Sequence, residues 1–419
     1  MKQIRPFEEP TQTTARLVVH LQSDRVYCIP RNTLPDKARY NGFEIHRSMR
    51  DFRNLVALKD LSTDELFLLP EASLASFSIS DEQIGYFIRR FGIKGISTPY
   101  KTKPPSIDPL DIPLHGNVIN PKWASISLGG SCNSHCTFCY TEWIRAVPDL
   151  QTNQVKDVID RIAAIGTVET LIFSGGEATI RQDLVSLFEY ANQAGFSNIA
   201  LQTHGRELKK FKLVERLVEL GLNKVLLSLH GPNEKIHDSI TGSPGSFLEA
   251  LEGLRHLRTL SVESEINTVM CKENYRHLSE IVALLGKTLN GCGKLRFSYL
   301  IIEGAAFDNI EKVIVPFSQL KPLMLKAIQA AEELGFEVQA TNMPLCIPDD
   351  NHRNTGYDTI ALSEFVQASP FYKFNVPRGE KSVKLNSCAR CSQVNLCRGI
   401  QVEYLRVYPD SVKEFKPIG

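Results

Sequence analysis

The chain has 419 residues, 42% hydrophobic and 23% charged, which is the composition of a folded protein and not of a disordered, collagenous or coiled-coil one. Its 48 Lys and Arg against 47 Asp and Glu leave a net charge of +1, which argues against bulk attraction to nucleic acid or to an anionic membrane. The apolar runs are too short for a membrane span, and the start, MKQIRPFEEP, lacks a secretory apolar segment, so the expectation is a cytoplasmic protein with no nucleic-acid or membrane partner.

Residues 14–30 read as strand, turn and strand, and residues 81–91 as a short helix behind Asp81. Residues 1–97 are thus expected to form a small α+β accessory domain, in which Cys28 sits in a strand pattern as a small hydrophobe. Residues 98–121 contain six prolines in 24 positions. Proline fixes φ and lacks a backbone N–H, so this stretch is neither helix nor central strand. It reads as a Pro-rich linker, or as a coil wrapped on the main domain.

From 122 to 340 the pattern becomes regular. Apolar strand-like runs fall at 124–128, 170–173, 198–202, 224–229, 264–270 and 295–301, with a last one at 336–340. Between them lie stripes at helical spacing: Val155, Val158, Ile159 and Ile162; Leu184, Leu187, Phe188 and Ala191; Leu278, Ile281, Val282, Leu285 and Leu289. Ser246 and Glu249 suggest a capping box, and a helix is expected near 318–334. Six strand–helix repeats imply an α/β fold with parallel strands. Periodicity alone allows either a partial barrel or an open doubly wound sheet. In both, chemistry belongs at the C-terminal strand ends.

Ten cysteines are the informative count, because clustered cysteines in a cytosolic chain more often bind metal or do chemistry than form disulfides. Cys132, Cys136 and Cys139 follow the first strand at C-x3-C-x2-C spacing. Three thiolates on one loop can hold three corners of a cuboidal iron–sulfur cluster and leave one iron open. A structural zinc knob with His135 or a distant fourth ligand is the alternative. Near the C-terminus, Cys388, Cys391 and Cys397 stand at C-x2-C-x5-C, with Cys346 upstream as a candidate fourth thiolate. Four thiolates close either an iron–sulfur cluster or a structural zinc site. Cys271 and Cys292 read as core or loop thiols.

The C-x3-C-x2-C loop, with Phe138 before its last cysteine, resembles the signature of the radical S-adenosylmethionine (radical SAM) superfamily. Gly175, Gly176 and Glu177 at the second strand's end resemble that family's GGE motif. The resemblance covers roughly residues 122–340. It implies a partial (β/α)6 TIM-like barrel, a four-iron, four-sulfur cluster on Cys132, Cys136 and Cys139, and bound S-adenosylmethionine whose amino group meets the GGE motif. It further implies cofactor contacts from Phe138, Thr203, Ser228, Asn267 and Gly304. Two positions depart from many relatives: Ala178 replaces proline after GGE, and His204 replaces asparagine after Thr203. His204 reads as a surface or structural histidine.

The tail, 341–419, resembles the SPASM or twitch auxiliary regions of such enzymes, though Gln401 stands where a further SPASM cysteine is expected. The resemblance implies one auxiliary four-iron cluster on Cys346, Cys388, Cys391 and Cys397. It also implies a reducing partner such as flavodoxin or ferredoxin, and an oxidoreductase or maturase acting on a peptide or protein side chain. The competing expectations are a small-molecule radical SAM dehydrogenase or cofactor-biosynthesis enzyme, and a non-catalytic iron–sulfur or zinc module. The GGE motif speaks against the last.

Overall fold

The computed structural model describes residues 15–19, 26–30, 37–40, 43–47, 55–60, 66–70, 112, 114–116, 120–146, 148–348, 365–368 and 382–419. The chain divides into two compact units, Met1–Lys103 and Pro104–Gly419. In the first, β1 (Ala15–Val19) pairs antiparallel with β2 (Val26–Pro30), the hairpin expected over 14–30. A four-stranded antiparallel meander follows: β3 (Lys37–Tyr40), β4 (Phe43–Arg47), β5 (Leu55–Asp60) and β6 (Leu66–Pro70). The helix expected over 81–91 lies outside the described residues.

The second unit is built on one nine-stranded sheet. Its strands include β7 (Leu114–Gly116), β8 (Trp123–Ser127), β9 (Thr170–Ser174), β10 (Ile199–Thr203) and β11 (Leu222–Ser228). They continue as β12 (Glu263–Met270), β13 (Lys294–Tyr299), β14 (Glu337–Thr341) and β15 (Phe365–Ala368). From β8 to β14 the spatial order is the chain order, and every neighbouring pair is parallel. A doubly wound sheet reverses its order at a switch point; this one does not. Right-handed crossovers without a reversal put every helix on one face, so the sheet curls as a partial barrel. It does not close: β14 ends one edge, while β15 extends the other beside β8 and β7 pairs antiparallel with β15.

The strand count therefore exceeds the six repeats read from periodicity. β14 is the seventh strand in order, and β7 and β15 come from the Pro-rich stretch and the tail. β7 takes an edge, where a Pro-rich segment is tolerated.

The helices bury the faces their stripes mark. In α1 (Thr152–Ala163), Val155, Val158, Ile159 and Ile162 are fully buried. Each such side chain contributes about 1.5–3 kcal/mol by leaving water. The same holds for Leu184, Leu187, Phe188 and Ala191 of α2 (Leu184–Gln193). Further round the arc lie α3 (Phe211–Glu219), α4 (Glu234–Thr241), α5 (Ser246–Thr259), α6 (Leu278–Leu289) and α7 (Phe317–Glu333). The capping box expected at Ser246 and Glu249 is absent. Asp238 of α4 caps α5 instead, accepting from the backbone N–H of Gly245 (2.6 Å) and Phe247 (2.9 Å). A carboxylate satisfies a helix N-terminus more strongly than a hydroxyl. Glu249 is thereby released to pair with Arg206 (2.5 Å).

The two ends of the strands differ chemically. At their N-terminal ends Lys224 bridges Glu263 (3.1 Å) and Glu265 (3.6 Å), and Arg296 pairs with Glu265. Toward the C-terminal ends stand neutral polar groups, among them Ser174, Thr203, Ser228 and Asn267. Among the described residues no helix is long and apolar enough to cross a membrane.

Candidate functional site

The C-x3-C-x2-C loop leaves the C-terminal end of β8 and is held by main chain on two sides. On one side the loop after β9 runs along it: Gly176 N donates to Gly129 O and Glu177 N to Ser131 O, both at 2.8 Å. The approach is so close that a β-carbon on Gly176 would collide with the Ser131 and Gly130 carbonyl oxygens. Glycine is required there by space. On the other side His135 N donates to Thr241 O (2.7 Å) and Thr137 N to Ile240 O (2.8 Å), so the end of α4 grips the loop's middle. The carbonyl of Asn133 accepts from Arg206 Nη1 (2.5 Å), and the Asn133 side chain meets His204 Nε2 (2.6 Å). Arg145, in the 3-10 turn that follows, donates to Ser134 O and meets His135 Nδ1 at 3.0 Å.

This clamp brings three thiols together. Burial, together with the neighbouring thiols of Cys139 and Cys132, pushes Cys136 up to about 12; burial also raises Cys132. As bare thiolates they would sit in an unfavourable crowd, each penalised by burial and by its like-charged neighbours. A cationic iron core taking the place of the protons relieves it. Three soft thiolates on one loop can hold three corners of an iron–sulfur cluster. The donor set thus fits an iron–sulfur cluster. Phe138 is buried, edge-on to His230 at 4.9 Å between ring centroids, and His230 lies parallel to His237 at 5.8 Å.

Glu177 is 3% exposed, and its carboxylate is held from the protein side. Oε1 accepts from Thr179 N (3.0 Å), Thr179 Oγ1 (2.5 Å) and Thr203 Oγ1 (2.6 Å). Oε2 accepts from His204 N (2.9 Å) and stands 3.3 Å from His204 Nε2. Thr203 therefore reaches the carboxylate from behind. His204 is half-buried between Glu177 and Asn133, which fits the structural and not the surface alternative read from sequence. Burial lowers its pKa, and its Nδ1 accepts from Arg206 N (3.3 Å), which leaves the proton on Nε2. The one signal for it in sequence is its place directly after Thr203.

The remaining positions fall on the same strand-end face. Ser228 ends β11, and its hydroxyl makes no hydrogen bond among the described residues. Asn267 lies beside it in register, and its Oδ1 accepts from Ser298 Oγ (2.6 Å), which meets Thr341 Oγ1 (2.8 Å) across β13 and β14. Gly304 has φ +52°, and a β-carbon there would meet Cys139 O at 2.7 Å; Ala305 N donates to that same oxygen at 2.9 Å. Cys271 is buried and Cys292 exposed, as core and loop thiols.

In the tail, Cys346, Cys388, Cys391 and Cys397 line one pocket with Leu345 and Phe415. Burial and the three other thiols raise Cys346 to about 11. Two backbone amides point at sulfur: Ile418 N donates to Cys391 Sγ and Gly399 N to Cys397 Sγ, both at 3.4 Å. The tail is anchored by α8 (Val402–Val407), whose buried Tyr404 packs on Phe317 and Phe415. The Tyr404 hydroxyl accepts from Phe317 N (2.8 Å) and donates to Glu414 (2.9 Å). Gln401 spans the loop after β13: its Oε1 accepts from Ile302 N (2.8 Å) and its Nε2 donates to Leu300 O (2.7 Å).

A parallel α/β arc with this loop pair at its strand ends is the framework of a radical SAM domain. Residues 126–285 match the Radical SAM superfamily. It is 32% identical over 166 residues to an AdoMet-dependent heme synthase of Methanosarcina barkeri, covering 39% of this chain and 47% of that protein. It is 32% identical over 162 residues to a PqqA peptide cyclase of Rhodopseudomonas palustris, covering 38% of this chain and 42% of that one. The chain thus spans about half the length, or less, of these curated relatives. Among solved structures, Streptococcus suis SuiB bound to S-adenosylmethionine aligns with TM-score 0.49 at 15% identity, over 71% of this chain and 76% of that one.

Proposed function

We propose that the chain is a radical SAM enzyme in which Cys132, Cys136 and Cys139 hold a four-iron, four-sulfur cluster with one open iron. When bound, that cluster supplies the electron that splits S-adenosylmethionine into methionine and a 5′-deoxyadenosyl radical, which takes a hydrogen from the substrate. The protein's part is placement. The main chain of 175–177 lies against the cysteine loop, so Glu177 would hold an ammonium beside the cluster bound there. Thr203, Thr179 and His204 hold the carboxylate so that it reaches the ammonium in one orientation. Ser228 keeps a free hydroxyl for the bound nucleoside, and Gly304 leaves room beside Cys139. Phe138, Asn267 and Gly175 complete that surface.

The observation that carries this reading is the paired amide bonds from Gly176 and Glu177 to the cysteine loop, with three thiols gathered above them. The test is anaerobic reconstitution with iron and sulfide and a strong reductant. 5′-Deoxyadenosine is expected from wild type, and its formation at normal rate by Cys136→Ala would refute the site.

For the substrate, a peptide or protein side chain leads, supported by the peptide cyclase among the relatives and by the cysteine-rich tail. A small molecule is the second reading, favoured by the similarity to heme synthases. A short precursor-peptide gene beside this one, and a mass change in that peptide on incubation, would decide for the first. In the tail, Cys346, Cys388, Cys391 and Cys397 hold a second, fully ligated four-iron cluster; the alternative is structural zinc. Flavodoxin or ferredoxin fits as the electron donor.

A further inference from the structure

Three arginines lie around the cysteine loop, and two have carboxylate partners: Arg181 pairs with Asp183 (2.7 Å) and Arg206 with Glu249 (2.5 Å). Arg145 has none among the described residues. Its terminal nitrogens are spent on Ser134 O and His135 Nδ1, between Cys132 and Cys136. Its Nε–H is buried without a hydrogen-bond partner. A guanidinium does not give up its proton inside a protein, so it cannot escape this position by becoming neutral. A half-buried cation with no carboxylate partner among the described residues and with a buried, unmet donor is costly. Such a group persists where something negative belongs beside it. The backbone reinforces its place: a β-carbon on Gly130 would strike the Ile144 carbonyl, so the turn carrying Arg145 is packed directly on the loop.

We propose that Arg145 is the counter-ion of the cluster on Cys132, Cys136 and Cys139, with its Nε–H donating to a cluster or cysteinyl sulfur. The inference rests on the cluster assignment above and adds to it a residue that sets the cluster's reduction potential. An iron–sulfur core bound by three thiolates is net negative, and more so when reduced. A fixed positive charge in partly buried surroundings therefore favours the reduced form. Arg145 touches no substrate in this account; it is a tuning residue. Its electrostatic sense agrees with its effect on the thiols, where it opposes the burial that raises Cys132 and Cys136.

The test uses the reconstituted full chain, with iron content and a redox titration followed by electron paramagnetic resonance. The signal that changes on adding S-adenosylmethionine identifies the first cluster. Arg145→Gln is expected to keep its iron and to lower the reduced-to-oxidised ratio at a fixed potential by roughly tenfold, about 59 mV for one electron. Arg145→Lys, which keeps the charge, is expected to stay near wild type. Loss of iron in the Gln variant alone would also support the charge as counter-ion. An unchanged midpoint in Gln, a Lys midpoint as low as that of Gln, or loss of iron in both would overturn the proposal. Wild-type protein that takes up no iron on this loop would instead overturn the cluster assignment itself.

Discussion

The two cysteine groups of this chain solve the same problem differently. The first, Cys132, Cys136 and Cys139, lies on a loop held mainly by other backbone: the amides of Gly176 and Glu177 on one flank, the carbonyls of Ile240 and Thr241 on the other. The second gathers four thiols from 346 to 397 around an apolar pocket, with amides aimed at two of the sulfurs. The barrel shapes the first from outside; the second is shaped by its own turns and is fastened through Tyr404 and Gln401. Three thiols in a rigid frame suit a site that must leave one metal position open. Four thiols with amide support suit one that closes every position.

The largest expected effect separates the two directly. Replacing Cys132, Cys136 and Cys139 together with alanine should abolish 5′-deoxyadenosine and reduce bound iron from about eight to about four, by the four-thiolate logic of such clusters. Tightly bound zinc in place of the residual iron would convert the tail to a structural site, since zinc has no redox chemistry.

The frame around the first group can be weakened without touching a thiol. Glu177→Ala removes a charge-assisted bond contributing roughly 1.5–3 kcal/mol, so S-adenosylmethionine should bind at least about tenfold more weakly, with iron unchanged. Unaltered affinity by titration would reduce the 175–177 loop to a structural turn.

Acid should also distinguish the regions. Burial lowers the pKa of His204, His230 and His237, the last to about 4, and all three surround the first loop. The unfolded chain, with histidines near ~6.5, binds more protons than the folded one as pH falls. Stability from these residues is therefore present above about pH 6.5 and lost progressively toward about pH 4. Residues 382–419 contain no histidine. Amide exchange measured from pH 7.5 down to 5, corrected for intrinsic rates, should show residues 133–139 and 229–237 opening before 400–415. Simultaneous opening would contradict this.

The smallest effect concerns the tail's anchor. Tyr404→Phe leaves the ring packing intact but removes the bonds to Phe317 N and Glu414, at a cost of roughly 1–3 kcal/mol. Thermal unfolding should register it, while iron content stays unchanged.

Much of the barrel was legible in sequence because its signals are local. A strand such as β9 and a stripe such as Val155 to Ile162 are written in consecutive residues, and their observed limits differ from expectation by a residue or two. The cysteine spacings were readable for the same reason. The misses are long-range. His204 gains meaning from Asn133, 71 residues earlier, and Thr203 from Glu177, 26 residues earlier. β15 joins β8 across more than two hundred residues, and no periodicity announces which free edge a short strand will take. The capping of α5 by Asp238 was hidden because a carboxylate from the preceding helix displaced the nearer Ser246 signal.

The seam between 129–131 and 176–177 is made by peptide groups, so it works as a ruler of chain length more than as a reader of side chains. An exposed side chain such as that of Ser131 can vary in chemistry while the amide-to-carbonyl steps stay in phase. An inserted or deleted residue between Gly129 and Cys139 has no such freedom. It would slide one edge of the seam past the other and carry three thiols out of alignment at once.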